Sequence, residues 1–317
     1  MNAIQSSLHP AGPQAAKIAQ LFWLFTGICV AVYVIVGAFV IAAYIRGRRN
    51  TAPDTADTPG MIRAVSAGAA ITVITLLLLV GASAATGRDT GTFAQNEPAQ
   101  LEIDITGHQW WWEVRYPDPL VPSHSFVTAN EIHIPTHTPV LLRLATRDVI
   151  HSLWIPNLHG KRDLIPGRNN KFWIQADEEG VYRGQCAEFC GLQHAQMALV
   201  VRAETPEAYA RWKSQQQSGA VTPRTPEEIR GQQVFLSAPC ANCHNVTGTD
   251  ASATLGPDLT HVASRPTLGA GTLINNRGNL SGWIANAQAL KPGALMPPNQ
   301  LSAAELNDLV AYMESLK

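Results

Sequence analysis

Two stretches without a charged residue limit what this chain can become. Residues 21–45 run for 25 positions with no Asp, Glu, Lys or Arg, and residues 64–85 repeat the pattern. As a helix with some tilt, the first crosses the roughly 30 Å of hydrocarbon in a bilayer. A cleaved signal peptide is the competing reading, but its apolar core spans only about 7–15 residues and follows a basic region. Residues 1–20 are polar, carry Pro10, Gly12 and Pro13, and supply no such region. Between the two stretches Arg46, Arg48, Arg49 and Arg63 outnumber Asp54 and Asp57, and Pro53 and Pro59 are expected to break regular structure. Arginine-rich loops stay in the cytoplasm. The chain therefore reads as a two-pass protein of a bacterial inner membrane. Residues 1–20 are extracytoplasmic, the spans are 21–45 and 64–86, the cytoplasmic loop is 46–63, and everything beyond lies on the periplasmic side.

That outer portion carries a dense set of soft donors. Cys186, Cys190, His194 and Met197 fall within twelve residues, and such donors select copper, zinc or iron–sulfur over magnesium or calcium. A mononuclear blue-copper loop needs one Cys, one His, a weak Met and a distant second His. This loop has a second Cys as well, and His151, in a segment that reads as a strand end, supplies the second His. Two copper ions bridged by two thiolates is the economical reading. A Cys186–Cys190 disulfide is the alternative for exported cysteines, and zinc is another, although a thioether serves zinc poorly. Of the five cysteines, Cys29 stands alone in an apolar run and reads as an inert buried thiol.

Residues 99–204 alternate with period two at 101–105 and 131–134, and add short apolar runs at 140–144 and 198–201. Several short strands between Pro and Gly turns predict a Greek-key β-sandwich or barrel. Trp110, Trp111 and Trp112 cannot all face inward from one strand, because side chains alternate. Packing accounts for Trp112, and at least one other indole is expected near the surface. His108, His124, His133, His137 and His159 show no metal-ligand spacing. Residues 161–163 and 166–168 read as loop positions, either at a docking face or in a solvated turn.

Thr205 and Pro206 open a short helix that runs out in the polar linker 215–219, and Thr225 with Glu228 forms a capping-box pattern that opens a further domain. That domain contains Cys240-Ala241-Asn242-Cys243-His244, the attachment signature of c-type haem, in which two thioethers anchor the vinyl groups and the His becomes an axial ligand. A zinc or thioredoxin-like pair does not need the adjacent His. For the sixth ligand Met296, Met313 and His261 compete. Met313 shares a helix face with Leu306, Leu309 and Val310 and reads as core, whereas Met296 lies in a proline-stiffened, non-helical segment. Met296 is the expected ligand.

The copper loop, the segment 148–156 and the run Gly107-His108-Gln109-Trp110-Trp111-Trp112 together resemble the cytochrome c oxidase subunit II family over roughly residues 10–205, and the remainder resembles class I cytochrome c. The resemblance implies a dinuclear CuA centre held by His151, Cys186, Cys190, His194, Met197 and the backbone carbonyl of Glu188. It implies that Trp110 is where the donor's electron enters, and that the Glu188 side chain shares a magnesium or manganese ion with the large subunit. Family members carry a Glu before the second span that feeds a proton pathway; residues 58–66 have none, so that role is not carried over.

The expected architecture is a multidomain membrane protein. It has a two-helix transmembrane hairpin, a cupredoxin-like Greek-key β-sandwich over 99–204, a helix and linker over 205–224, and an all-α cytochrome c domain over 225–317. A net charge of −1 with 15% charged residues offers no basic face for nucleic acid. With every ligand position filled, both centres are relays rather than substrate sites. The chain resembles subunit II of a caa-type oxidase, taking electrons from cytochrome c or another donor through one covalent haem c to copper. The implied partners are oxidase subunits I and III. A copper-containing nitric oxide reductase subunit and a self-contained membrane-anchored carrier are the other readings. The polar linker leaves the last domain able to swing or to dock.

Overall fold

The computed structural model describes residues 4–49, 58–94 and 99–317. It separates into two compact units, one of residues 16–93 and one of residues 4–15 with 94–317.

In the first unit, helix α1 (Pro13–Arg49) and helix α2 (Thr58–Gly91) both outrun their uncharged stretches. Arg46, Arg48 and Arg49 form the last turn of α1, where cations complement the helix dipole. Pro59 does not break the chain as expected. It sits in the first turn of α2, where its missing N–H removes no helical bond. Residues 87–91, beyond the expected end of the second span at 86, are helical too. The Lys17 ammonium meets Asp89 at 2.8 Å, joining the start of α1 to the end of α2 in an antiparallel hairpin. Hydroxyls bond back to the helices, as Thr26 to the Phe22 carbonyl and Thr72 to that of Gly68. The apolar side chains face outward, Phe39 72% and Leu78 70% exposed. Cys29 is exposed rather than buried, because a thiol on a single apolar helix has no protein around it.

In the second unit ten strands form two five-stranded sheets. They are β1 (Leu101–His108), β2 (Trp111–Tyr116), β3 (Phe126–Ala129), β4 (Glu131–Pro135), β5 (Val140–Thr146), β6 (His151–Trp154), β7 (Lys161–Leu164), β8 (Asn170–Ile174), β9 (Gly180–Cys186) and β10 (Ala198–Glu204). One sheet runs β3-β2-β1-β5-β8 and the other β4-β10-β9-β6-β7. Inward residues of both, among them Ile103, Ile105, Trp112, Val114, Leu142, Leu153 and Leu199, make a single core, as period-two alternation requires. Residues 161–163 lie in β7, not in a loop, with Asp163 accepting from Ser152 at 2.8 Å.

Residues 4–15, for which the sequence suggested only polarity, lie along this sandwich. Ala11 N–H donates to the Asn157 carbonyl and Arg183 N–H to that of Ile4. Helix α3 (Pro206–Gln216), capped by Thr205, closes one end, with Trp212 stacked on His133 at 3.9 Å. The following segment is laid down rather than free. Gln217 donates to the His124 carbonyl, Ala220 N–H to that of Thr247, and the Ser218 carbonyl faces His261.

The C-terminal part packs α4 (Pro226–Ser237), a small hairpin of β11 (Thr267–Leu268) and β12 (Leu273–Ile274), α5 (Arg277–Leu290) and α6 (Ala303–Ser315). Capping boxes at Thr225/Glu228 and Ser302/Glu305 start α4 and α6. The two helices cross at Gly231, whose missing Cβ would lie 2.0 Å from the Asp308 carbonyl oxygen. Arg230 pins the crossing with two bonds to the Asp308 carboxylate. Phe235, Leu280, Ile284, Leu309, Tyr312 and Met313 fill the core, which is where Met313 was expected.

Candidate metal centre and haem site

Antiparallel pairing of β9 with β10 holds both ends of the donor-rich loop, since Cys186 closes β9 and Ala198 opens β10. Cys186 N–H donates to the Met197 carbonyl and draws the loop shut. His151 opens β6, the strand beside β9, and so reaches the same place from a distant part of the sequence. The result is one cluster. Cys186 Sγ lies 3.8 Å from Cys190 Sγ, 3.8 Å from His151 Nδ1 and 3.2 Å from the Glu188 carbonyl oxygen. Cys190 Sγ lies 3.6 Å from His194 Nδ1 and 3.9 Å from Met197 Sδ. The two cysteines are not bonded to one another.

The spacing fits a soft metal. With metal–sulfur bonds near 2.3 Å and metal–nitrogen bonds near 2.0 Å, a sulfur and a second sulfur or nitrogen on one tetrahedral ion stand about 3.5–3.8 Å apart. His151, Cys186 and Cys190 are buried, and their ligand atoms lie within 4.8 Å of one another. The Cys186 thiol is held far below its ordinary range, first by the hydrogen bond from Cys190 and further by His151 and main-chain groups, against the effect of burial. Cys190 is pushed up by that same neighbour and by burial. One thiolate forms readily, and the second needs a cation beside it.

Asp148 was not singled out by sequence, yet it governs His151. Its Oδ1 accepts from Nε2 at 2.7 Å, which leaves the Nδ1 lone pair toward the sulfurs. Burial opposes charge on His151, but the bonds to Cys186 and Asp148 outweigh it and raise its pKa. Asp148 is lowered despite its own burial by His151 and by the N–H groups of Gln109 and Val149. The i, i+3 spacing from Asp148 to His151 was the available signal.

Trp110 does not share a strand with its neighbours. It lies in the turn before β2, while Trp112 is fully buried and Trp111 stacks on His108 at 4.3 Å. The Trp110 indole N–H donates to the Cys190 carbonyl at 3.0 Å, and Gln109 Nε2 donates to the same oxygen at 2.7 Å. The Glu188 carboxylate faces Lys161 Nζ at 3.4 Å.

In the C-terminal part Cys240 and Cys243 bracket a short turn and carry unbonded thiols. His244 Nδ1 donates to the Pro257 carbonyl at 2.7 Å, so Nε2 keeps its lone pair for a metal. Burial lowers the pKa of His244 and keeps the ring neutral, as coordination requires. Gly256 lies against that ring, where a Cβ would meet Cε1 at 2.7 Å. The residues fit a c-type haem. Both ring nitrogens of His261 face carbonyls, of Lys317 and Ser218, which removes it as an axial candidate. Met313 is locked in the core, whereas Met296 sits half-buried in the non-helical segment between α5 and α6.

That segment and the β11–β12 turn meet the copper loop. Gln193 Nε2 donates to the Pro292 carbonyl, Ala198 N–H to that of Ala270, and Lys291 Nζ to the carbonyls of Trp110, Gln196 and Gly269. The C-terminal part is thus docked, not swinging. Nothing in the sequence marks Lys291 beyond its being the single lysine between Lys213 and Lys317.

A donor-rich sandwich loop and a c-type haem segment behind two apolar helices define a membrane-anchored electron-transfer subunit. The family model described as cytochrome c oxidase subunit II, periplasmic domain, matches residues 120–204, and that of cytochrome c matches residues 229–317. Cytochrome c oxidase subunit 2 of Alkalihalophilus pseudofirmus is 34% identical over 320 residues, covering 98% of this chain and 91% of the relative. The Bacillus subtilis subunit 2 is 29% identical over 337 residues, covering 98% and 92%. The solved periplasmic domain of subunit II (CoxB) from Bradyrhizobium japonicum is 31% identical, with a TM-score of 0.36, over 38% of this chain and 95% of that one. This chain belongs to the cytochrome c oxidase subunit II family. It is the subunit through which electrons enter the oxidase, with a copper domain and a haem domain in one polypeptide. These relatives are oxidase subunits, which lends the nitric oxide reductase and stand-alone carrier readings no support.

Proposed function

We propose that the sandwich loop holds two copper ions bridged by the thiolates of Cys186 and Cys190. His151, His194, Met197 and the Glu188 carbonyl complete the set. The single observation that carries this reading is that each of those four donors lies within 3.9 Å of one of two neighbouring thiols. A soft site of this kind gives an ion about four ligands. Four donors sharing two thiolates therefore suit two ions rather than one.

In residues 225–317 Cys240 and Cys243 would hold one covalent haem c, and His244 and Met296 would supply its remaining protein ligands. Copper and haem supply one-electron redox chemistry. The chain's own residues hold them, keep water from Cys186, Cys190 and His151, and fix the distance between domains. The electron reaches the haem domain first and crosses to the copper domain beside Trp110. The N-terminal segment and the two redox domains lie on the periplasmic side of the inner membrane, and the connection between α1 and α2 on the other. The pairing of residues 4–15 with the sandwich supports this, because two crossings return the chain to the side on which it began. The partners are the oxygen-reducing subunit I, subunit III and a cytochrome c donor, and the Glu188 carboxylate shares a magnesium or manganese ion with subunit I.

Metal analysis of the purified protein tests the count: two coppers and one iron per chain are expected. A fully active preparation with one copper per chain excludes the dinuclear assignment.

A further inference from the structure

Lys291 is the C-cap of α5 and is almost completely buried, with 2% of its surface exposed. Its ammonium has three protons and no acceptor, and three carbonyl oxygens take them: Trp110 at 2.9 Å, Gln196 at 2.9 Å and Gly269 at 2.8 Å. Two of these acceptors belong to the copper domain and one to the haem domain. Trp110 is the ring fastened to Cys190, and Gln196 is the neighbour of Met197 in the chain. Main-chain carbonyls cannot rotate away as side chains do, so the contact fixes geometry.

Around this point the haem domain closes on the copper loop from two sides. The β11–β12 turn receives Ala198 N–H at the Ala270 carbonyl, and a Cβ on Gly271 would stand 3.0 Å from Ala198 Cβ. On the other side Pro292 accepts from Gln193, and Gly293 (φ +89°) leaves room that a Cβ would fill, 2.9 Å from Leu192 and 3.4 Å from the Trp110 ring. Lys291 lies between the two prongs, on the segment that leads to Met296.

We propose that Lys291 is a positioning residue for electron transfer, latching the Met296 segment onto Trp110 and the copper loop so that the haem domain works from one docked geometry. The proposal rests on the route through Met296 and Trp110 given above. A lysine is suited to this role because its point charge satisfies three converging carbonyls, which the planar fork of arginine does not.

The test uses the complete oxidase carrying Lys291→Met, with two readouts. One is the rate at which copper is reduced after flash reduction of haem in the same molecule. The other is hydrogen exchange at the Ala198 amide, whose acceptor lies across the domain contact. Lys291→Met is expected to slow transfer by about tenfold or more and to expose the Ala198 amide, with copper and haem spectra retained. Lys291→Arg restores only part of the rate. An unchanged transfer rate in a fully loaded variant overturns the positioning role, whatever the amide shows. If Lys291→Met fails to load, Gln193→Leu, which removes the bond to the Pro292 carbonyl across the same contact, is measured in the same way and judged by the same outcomes. Failure of the underlying route reads differently: Trp110→Phe would leave the rate untouched while Lys291→Met still exposed Ala198.

Discussion

The Trp110 indole is hydrogen-bonded at 3.0 Å to the main-chain oxygen of Cys190, so an aromatic ring that meets the haem domain is fastened to the residue bearing a candidate copper thiolate. Replacing Trp110 with Ala removes both the bond and the ring. Haem-to-copper transfer is expected to slow by about tenfold, equivalent to about 1.4 kcal/mol of activation, with both absorption spectra unchanged. Flash photolysis with spectral readout measures it, and an unaltered rate takes the tryptophan off the route.

Met197 is buried to 1% exposure among the other donors. Met197→Leu conserves volume and costs under about 1.5 kcal/mol of stability. It is expected to keep copper with a shifted midpoint potential, because a thioether is the weakest donor present. Cys186→Ser and Cys190→Ser lose the site. Metal analysis with redox titration decides, and loss of copper from Met197→Leu counts against the assignment.

Met296 and Met313 part company by environment. Met296→Ala is expected to leave haem covalently attached through Cys240 and Cys243 while removing the sulfur–iron band. Met313→Ala empties a core position beside Phe235 and Tyr312 and lowers stability by about 2–5 kcal/mol. A band that survives in the first variant and vanishes in the second reverses the roles.

His133 and Glu131 predict a pH profile. Burial works against charge on His133, yet bonds to Glu131 and Glu204 raise its pKa above the ordinary 6.5. Its contribution to stability is therefore complete below pH 6.5 and lost as pH rises through the folded value. Glu131 is likewise opposed by burial but lowered below 4.5 by His133, Arg265 and Thr128, so its contribution holds above pH 4.5 and fades as pH falls. Thermal unfolding across pH 4–9 should peak between these limits. In His133→Phe, which retains a ring to stack on Trp212, the alkaline decline should flatten; an identical decline rules His133 out as its source.

Patterns carried by a residue's own neighbours were legible in the sequence. Uncharged runs marked α1 and α2, period-two alternation marked β1 and β4, and the Thr225/Glu228 capping pair marked the start of α4. The donor loop was readable because four of its donors sit within one short segment, and His151 because a strand beside it was needed. Lys291 is not legible because its partners are distant main-chain atoms, and a carbonyl oxygen has no signature in a sequence; Asp148 has only its i, i+3 spacing to His151 to mark it. The segment 215–219 reads as a loose linker since its residues are polar; what holds it down is the His124 carbonyl, which accepts from Gln217, and the His261 ring, which faces the Ser218 carbonyl. Cys29 was misjudged because apolar neighbours along a helix are not neighbours around it.

The contact through Lys291 joins an ammonium to neutral carbonyls, flanked by Gln193, Gly271 and Gly293, and the described bonds across it include no ion pair. Charge-steered encounters between soluble redox partners weaken as salt screens them, over a Debye length of about 8 Å at physiological ionic strength. A contact made of main-chain acceptors and close packing, with the facing charges of Arg265 and Glu131 both buried, has little for salt to screen. Electron delivery inside this chain should therefore hold its pace in brines that would part a soluble donor from its oxidase.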